Sequence, residues 1–327
     1  MQCDWLEPAM EQLRQASQQQ RLPHALLIHD VPGGGGEKLA LFAAQIALCR
    51  QVPAPCGKCR DCTRVRAATH AEPATHPDLH WVSPCEEPGK ESKVISVAQV
   101  RELGEELQKT GHGGANAVAI LDPADTMTDA ASNALLKTLE EPRPGVMLIL
   151  LTAAPSHLLP TIRSRCTRIR IKVPPRAQIV QWLTRERGDA DWNAVLGLLG
   201  DAPLLAAAAN VSQLLAARTD TRTTLDRGLQ NPAAVADQAA AWSKPDQFEL
   251  RLTCIENWIT ALLDAAVDQN ADGVALRRRG HLPASGATLN IAALLRAYDA
   301  ARELKRLAAK PINRSLALEQ LLWQLSR

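Results

Sequence analysis

Three consecutive segments decide the fold: His24-Ala-Leu-Leu-Ile-His29, Asp30-Val-Pro-Gly-Gly-Gly-Gly36 and Glu37-Lys-Leu-Ala-Leu-Phe-Ala-Ala-Gln-Ile-Ala-Leu48. The first is a short apolar run that predicts a buried strand. The second is a glycine-rich turn, and the third predicts a helix. A strand, a glycine-rich loop and a helix in this order form the context of a phosphate-binding P-loop.

The residues that bind phosphate in such a loop are missing. The pattern requires Gly, four residues, then Gly-Lys-Ser/Thr. Placing its second glycine on Gly35 puts Asp30 at the first glycine, Gly36 at the lysine and Glu37 at the hydroxyl residue. A carboxylate then replaces the metal-binding hydroxyl, and the cation that holds the phosphates is lost. Lys38 comes two positions late. We therefore expect no bound nucleotide and no ATPase activity from the isolated chain, whose degenerate loop comprises Gly33, Gly34, Gly35, Gly36 and Glu37.

Strands and helices alternate up to about residue 172. Further strands are predicted at Asp78–Ser83, Asn116–Asp122, Val146–Thr152 and Thr167–Lys172. Helices are predicted from Ser96 to about Thr110, over Thr128–Leu139 and over Pro155–Arg163. Unbroken apolar strands that alternate with helices predict a parallel sheet covered on both faces, an α/β fold of the P-loop NTPase type.

After Pro174-Pro175 the sequence predicts helices only, at Pro175–Arg187, Asp191–Leu199 and Pro203–Leu215 and then throughout an Ala/Leu-rich C-terminal section. The polar run Asp220–Asp226 and Asn231-Pro232 indicate a second boundary, and Arg277–Gly286 an exposed loop. The predicted domains are an α/β domain at 1–172 with a cysteine-rich module at 49–62, a helical domain at 173–215 and a second helical domain at 216–327.

Composition narrows the class of protein. A formal net charge of +2 over 327 residues does not indicate a dedicated nucleic-acid binder. The N-terminus has no basic segment followed by an apolar core, and the longest apolar stretch, Val146–Ala154, is shorter than the roughly 20 residues that a transmembrane helix needs. We therefore expect a cytoplasmic protein, in which cysteines favour metal binding over disulfides.

Four of the eight cysteines form a metal-ligand pattern. Cys49, Cys56, Cys59 and Cys62 are separated by six, two and two residues. Four thiolates suit a closed, structural zinc site without an open position for catalysis. Two alternatives remain. One is an iron–sulfur cluster, although the usual fourth Cys followed by Pro is missing. The other is that these are ordinary cysteines packed in the core.

Two further segments have both a functional and a structural interpretation. Asp122 ends an apolar strand where an ATPase has a metal-binding Asp, but Pro123 follows in place of a catalytic Glu, so a turn carboxylate is the favoured interpretation. Arg165 could reach a γ-phosphate held by a neighbouring subunit. Spacing alone does not distinguish it from other exposed arginines nearby.

The order of the motifs resembles that of the bacterial clamp-loader subunits of DNA polymerase III, which are AAA+ proteins. The resemblance covers nearly the whole chain and rests on the strand and degenerate loop together with Cys56-Gly-Lys-Cys-Arg-Asp-Cys62, Thr75-His-Pro-Asp78, Leu121-Asp-Pro-Ala-Asp-Thr-Met-Thr128, Ala131-Ser-Asn-Ala-Leu-Leu-Lys-Thr-Leu-Glu-Glu-Pro142 and Ile162-Arg-Ser-Arg-Cys166.

The resemblance implies an ATPase-inactive member: an AAA+ α/β domain, a helical lid at 173–215 and a helical collar at 216–327. Arg165, supported by Ser164 and Cys166, would act in trans as an arginine finger, and the four cysteines would hold structural zinc. The implied partners are gamma/tau and delta subunits in a hetero-pentamer, the beta sliding clamp and primed DNA. The chain would thus be part of a DNA-directed DNA polymerase, a nucleotidyltransferase.

Three rival functions remain open at this stage. A gamma/tau-like ATPase conflicts with the missing Gly-Lys-Thr. A free-standing zinc-dependent DNA-binding protein conflicts with the near-neutral charge. A regulatory paralogue that binds gamma/tau is compatible with the same motifs.

Overall fold

The structure is a computed structural model that describes residues 3–68, 76–84, 86–87, 90–91, 94–108, 116–228, 232–269, 291–308 and 312–325. The chain divides into two compact units. The first comprises residues 1–179 together with 202–205, and the second comprises 180–201 and 206–327. The predicted boundaries at 172/173 and 215/216 stay predictions.

The first unit is built on a five-stranded sheet, which confirms the predicted fold class. In chain order the strands of the described residues are β1 (Ala25–His29), β2 (Leu79–Val82), β3 (Glu86–Glu87), β4 (Lys90–Glu91), β5 (Ala117–Leu121), β6 (Val146–Thr152) and β7 (Thr167–Arg170). Strands β3 and β4 form a separate antiparallel pair, and the other five form the large sheet. The strand order in the large sheet is β2-β5-β6-β1-β7, and every pairing in it is parallel.

The apolar runs explain the centre of this sheet. Every residue of β5 and β6 is buried, as expected for parallel strands covered on both faces. Because parallel strands end at the same edge, the segments that follow β1, β5 and β6 meet there. That edge brings together Asp30, Asp122 and Thr152.

The helices of the N-terminal half are α1 (Glu7–Gln18), α2 (Gly36–Leu48), α3 (Arg60–Ala67), α4 (Val97–Gln108), α5 (Asp129–Glu140) and α6 (Pro160–Arg165). A capping box opens α4, since Ser96 and Gln99 exchange backbone-to-side-chain hydrogen bonds of 2.9 and 3.3 Å. The predicted helix Pro155–Arg163 was wrong: a short 3₁₀ turn at Pro155–His157 precedes α6, which begins at Pro160. Proline favours the first helical position.

The C-terminal half is helical in the residues that the structure describes: α7 (Arg176–Arg187), α8 (Trp192–Leu199), α9 (Pro203–Ala208), α10 (Val211–Arg227), α11 (Pro232–Trp242), α12 (Pro245–Gln269), α13 (Ile291–Leu307) and α14 (Arg314–Leu325). A buried stripe on α12 at helical spacing (Phe248, Leu252, Ile255, Ile259) packs against α13 and α14. No helix among the described ranges has the length and hydropathy needed to cross a bilayer.

One predicted helix, Pro203–Leu215, is two helices. Asn210 interrupts it and caps α10, because its Oδ1 accepts the Gln213 amide at 3.2 Å. Helix α10 then continues through Asp220–Asp226. The predicted loop Arg277–Gly286 lies outside the described residues.

Candidate functional site

The degenerate loop folds around its own carboxylate. Helix α2 begins at Gly36, directly after Gly35, whose φ of +114° is in the region that favours glycine. The Gly36 amide donates a hydrogen bond of 2.5 Å to Asp30 Oδ2. Burial raises the pKa of the Asp30 carboxyl above its ordinary range, and the bond from Gly36 opposes that rise.

A cleft of about 440 Å³ lies beside this loop, within the first unit. Carboxylates of Asp30, Glu37 and Asp122 line it together with Lys38, whose Nζ lies 3.5 Å from the Cys3 sulfur. The volume is typical of a ligand pocket. Carboxylates thus outnumber cations among these four lining residues.

The four predicted cysteine ligands come together. Their Sγ atoms all lie within 4.8 Å of one another, and the Cys49 and Cys59 sulfurs are 3.9 Å apart. This separation is far longer than a disulfide bond of about 2.05 Å, and no disulfide joins the cysteines of the described residues. A tetrahedron of Zn–S bonds of about 2.3 Å requires sulfur–sulfur separations of roughly 3.8 Å. The donor set and its spacing therefore fit a zinc ion.

Backbone geometry prepares these sulfurs for a cation. Amide groups donate to them along the chain, from Cys56 to Cys49, from Cys59 to Cys56 and from Cys62 to Cys59, at 3.3–3.5 Å. Backbone donors lower the pKa of Cys56 to about 6, whereas burial raises that of Cys62 to about 12. Such donors favour the thiolate.

The cysteine module at 49–62 is joined to the core through Gln45 of α2. The Gln45 Nε2 donates a hydrogen bond to the Cys62 carbonyl at 2.8 Å. Cys62 and Val65 are the buried residues of α3. On the other side, Asp61 lies 3.3 Å from His76 Nε2, and His76 Nδ1 accepts the Asp78 amide. His76 is thus held by structural contacts.

Ser164, Arg165 and Cys166 stand at the junction of α6 and β7. Cys166 is buried in the hydrophobic core, which raises the pKa of its thiol to about 11, and Ser164 Oγ donates to the Thr161 carbonyl. The Arg165 side chain points outward and is 36% exposed. The core anchors one residue of the motif and so fixes the backbone that carries the arginine.

The sequence did not reveal the partner of Arg165. Its guanidinium lies 2.7 Å from Glu140 Oε1 and also donates to the Thr161 carbonyl at 3.0 Å. Glu140 ends α5 within the Leu-Glu-Glu-Pro motif, which was the one available hint. The neighbouring Arg168 donates to the Arg163 carbonyl.

Comparison with known proteins gives the family. Residues 5–175 match the family model described as DNA polymerase III, delta subunit. The chain is similar to DNA polymerase III subunit delta' of Yersinia pestis, with 33% identity over 98% of this chain and 94% of that protein. It is 41% identical to subunit delta' of Escherichia coli over 56% of this chain, a match that spans about half (52%) of the relative's length.

A solved structure shows the same fold. The DNA polymerase III gamma subunit-related protein of Thermotoga maritima superposes with a TM-score of 0.51 at 15% identity, covering 97% of this chain and 98% of that one. This likeness shows the fold alone, a parallel sheet with helices followed by a helical region. The family match and the Yersinia relative confirm the resemblance found in the sequence: the chain belongs to the DNA polymerase III delta' subunit family.

Proposed function

We propose that this chain is a non-hydrolysing subunit of the DNA polymerase III clamp loader that supplies Arg165 as an arginine finger to the ATP site of a neighbouring gamma/tau subunit. One observation carries the proposal. The chain presents an arginine at an exposed helix end, while its own loop lacks both the lysine and the hydroxyl that an ATPase needs.

The loop supports the inactive half of this proposal. Gly36 and Glu37 stand where the lysine and the hydroxyl residue belong, and the Asp30 carboxylate already binds the Gly36 amide. A triphosphate entering the cleft would meet three carboxylates. Electrostatic repulsion therefore opposes the binding that hydrolysis requires.

The position of Arg165 supports the active half. A finger must be fixed at its backbone and mobile at its tip. Cys166 is buried beside it, whereas the guanidinium is held only by Glu140 and the Thr161 carbonyl at the surface. An exposed ion pair contributes only about 0.2–1 kcal/mol, so a γ-phosphate could draw the guanidinium away.

The remaining features complete the proposed assembly. Cys49, Cys56, Cys59 and Cys62 hold a structural zinc ion that fixes the module 49–62. Residues 173–215 are the lid and 216–327 the collar that joins the chain to gamma/tau and delta subunits in a hetero-pentamer. In the cytoplasm that assembly places the beta sliding clamp on primed DNA.

The test is ATP turnover of purified gamma/tau and delta subunits with clamp and primed DNA, assembled with wild-type chain or with Arg165→Ala. Removing a finger supplied in trans lowers turnover by about 10³–10⁵-fold at the affected site, so a large loss is expected while the complex still forms. Arg170→Ala is the matched control, because Arg170 is exposed on the neighbouring edge strand β7.

Two results would oppose the proposal. Turnover by the chain alone would show that its own loop is an active site, as in a gamma/tau-like ATPase. Equal turnover with Arg165→Ala and Arg170→Ala in intact complexes would leave a regulatory paralogue as the better account.

A further inference from the structure

The Asp30 carboxylate occupies the N-terminus of α2. Amide groups and the helix dipole make such a terminus favourable for anions, and P-loops place a phosphate there. In this chain Asp30 Oδ2 accepts the Gly36 amide at 2.5 Å, at the first residue of α2. The anion that this terminus attracts is thus part of the chain itself.

Two of the four consecutive glycines make room for this carboxylate. A Cβ atom at position 34 would lie 2.1 Å from Asp30 Oδ1, and one at position 36 would lie 2.8 Å from Asp30 Oδ2. Side-chain carbons do not approach other atoms this closely. A side chain at position 34 would therefore displace the carboxylate, and one at position 36 would collide with both Asp30 and Leu151 Cδ2, which lies 2.6 Å from the Cβ position.

The other two glycines let the loop close on both sides. A Cβ atom added to Gly33 (φ +78°) would lie 2.6 Å from Leu205 Cγ. One added to Gly35 (φ +114°) would lie 2.9 Å from Leu6 Cδ1. The Trp5 indole also donates to the Gly34 carbonyl at 2.7 Å. Leu6, Leu205 and the Trp5 indole thus pack directly against the glycine-rich loop.

We propose that Asp30 is the built-in occupant of the loop's anion site and that the four glycines serve to close the loop on its carboxylate, which excludes phosphate and pyrophosphate groups. The proposal deepens the non-hydrolysing role proposed above and rests on it. An entering phosphate would have to displace a covalently tethered carboxylate that is always present, and it would also meet Glu37 at the same helix end.

The test uses the full chain, with inorganic pyrophosphate as the probe. Amide hydrogen exchange at Gly36 is measured by NMR in the wild type, in Asp30→Ala and in the control Asp129→Ala. Asp129 is an exposed carboxylate in the first turn of α5. Loss of a bond to a charged acceptor should speed exchange at Gly36 by about tenfold or more in Asp30→Ala only.

Pyrophosphate binding is then measured by calorimetry. Asp30→Ala should bind at least about tenfold more tightly than the wild type and the Asp129→Ala control, since tenfold corresponds to one hydrogen bond to a charged group. Equal pyrophosphate affinity of wild type and Asp30→Ala, or equal Gly36 exchange in the two, would overturn the proposal.

A second variant, Gly34→Ala, leaves residue 30 as aspartate but should push its carboxylate out of the loop. It should therefore speed amide exchange at Gly36 and lower the thermal midpoint. Both effects should be larger in the wild-type background than in the Asp30→Ala background. The same fall in both backgrounds would show that Gly34 is needed for some other reason. None of these measurements involves Arg165 or the neighbouring ATPase, so their failure is distinct from failure of the proposed function.

Discussion

The cysteine cluster permits the most quantitative prediction, the effect of Cys56→Ser. The four sulfurs lie within 4.8 Å, and a zinc tetrahedron needs roughly 3.8 Å, so the site closes on the ion with shifts of about 1 Å or less. A structural zinc ion contributes about 10–16 kcal/mol at neutral pH, whereas a whole domain is stable by about 5–15 kcal/mol. We therefore expect the fold of the module 49–62 to depend on a bound zinc ion.

The expected damage is local. The ion would join the end of α2 to α3, and α3 buries only Cys62 and Val65, whereas the sheet has an extensive core of its own. Cys56→Ser should weaken zinc binding by more than about 100-fold, because loss of an outer-sphere partner alone costs about 10–100-fold. Amide exchange in α3 should then rise while exchange in β5 and β6 stays slow.

The assay is a zinc titration against a competing chelator, with X-ray absorption to identify the ligands. Wild-type chain should hold one zinc ion surrounded by four sulfurs at about 2.3 Å. Cys254→Ser is the control, since Cys254 is a buried cysteine of the helical unit. Iron in the site, or equal zinc affinity of Cys56→Ser and Cys254→Ser, would refute the reasoning.

Three other predictions follow from the first unit and its surface. Leu6→Ala removes a fully buried side chain beside the loop and should lower the free energy of unfolding, measured in urea, by about 2–5 kcal/mol. The control Leu316→Ala removes a side chain that is 62% exposed and should change it by no more than about 0.5 kcal/mol. Equal effects of the two variants would contradict the observed packing of Leu6. Burial raises the folded-state pKa of the Asp30 carboxyl above its ordinary value of 3.8. The folded state therefore favours protonated Asp30, and the resulting contribution to the free energy of unfolding is complete below pH 3.8 and is lost as the pH rises through the folded-state pKa. Asp30→Asn should therefore gain stability relative to wild type as pH rises, and a pH-independent difference would be inconsistent with the buried carboxyl. Glu140→Gln should cost less than about 1 kcal/mol in a thermal melt and should preserve loader turnover, because it removes only a surface pair; a loss as large as that of Arg165→Ala would mean that Glu140 has a role of its own.

Local patterns predicted much of this protein. The strands were found because unbroken apolar runs such as Val146–Thr152 are long enough to specify buried parallel strands. The cysteine cluster was found because Cys56, Cys59 and Cys62 are brought together by one turn and the start of α3. Neither prediction needed any long-range contact.

Features that depend on tertiary contacts were not predicted from the sequence. Helix α1 was also missed, although it is amphipathic and buries Leu13. The polar run Asp220–Asp226 lies within α10, where Asp220 accepts a hydrogen bond from Arg251 and Asp226 accepts one from Trp258. Its charges are contacts to α12, and pairing of that kind follows only from the tertiary fold.

The same distinction applies to the site. Sequence indicated that Glu37 and Asp30 stand in place of P-loop residues, but not that Asp30 turns inward onto Gly36. That contact depends on the backbone angles of the glycines. The pairing of Arg165 with Glu140 likewise depends on how α5 and α6 pack.

The most direct test of the central claim is a structure of the assembled loader with clamp, primed DNA and ADP–beryllium fluoride. The account predicts nucleotide in the neighbouring gamma/tau subunit, with the Arg165 guanidinium within hydrogen-bond distance of the γ-phosphate mimic, and none beside Asp30. Nucleotide bound in this chain's own cleft, or Arg165 still paired with Glu140 beside an occupied neighbouring site, would contradict it.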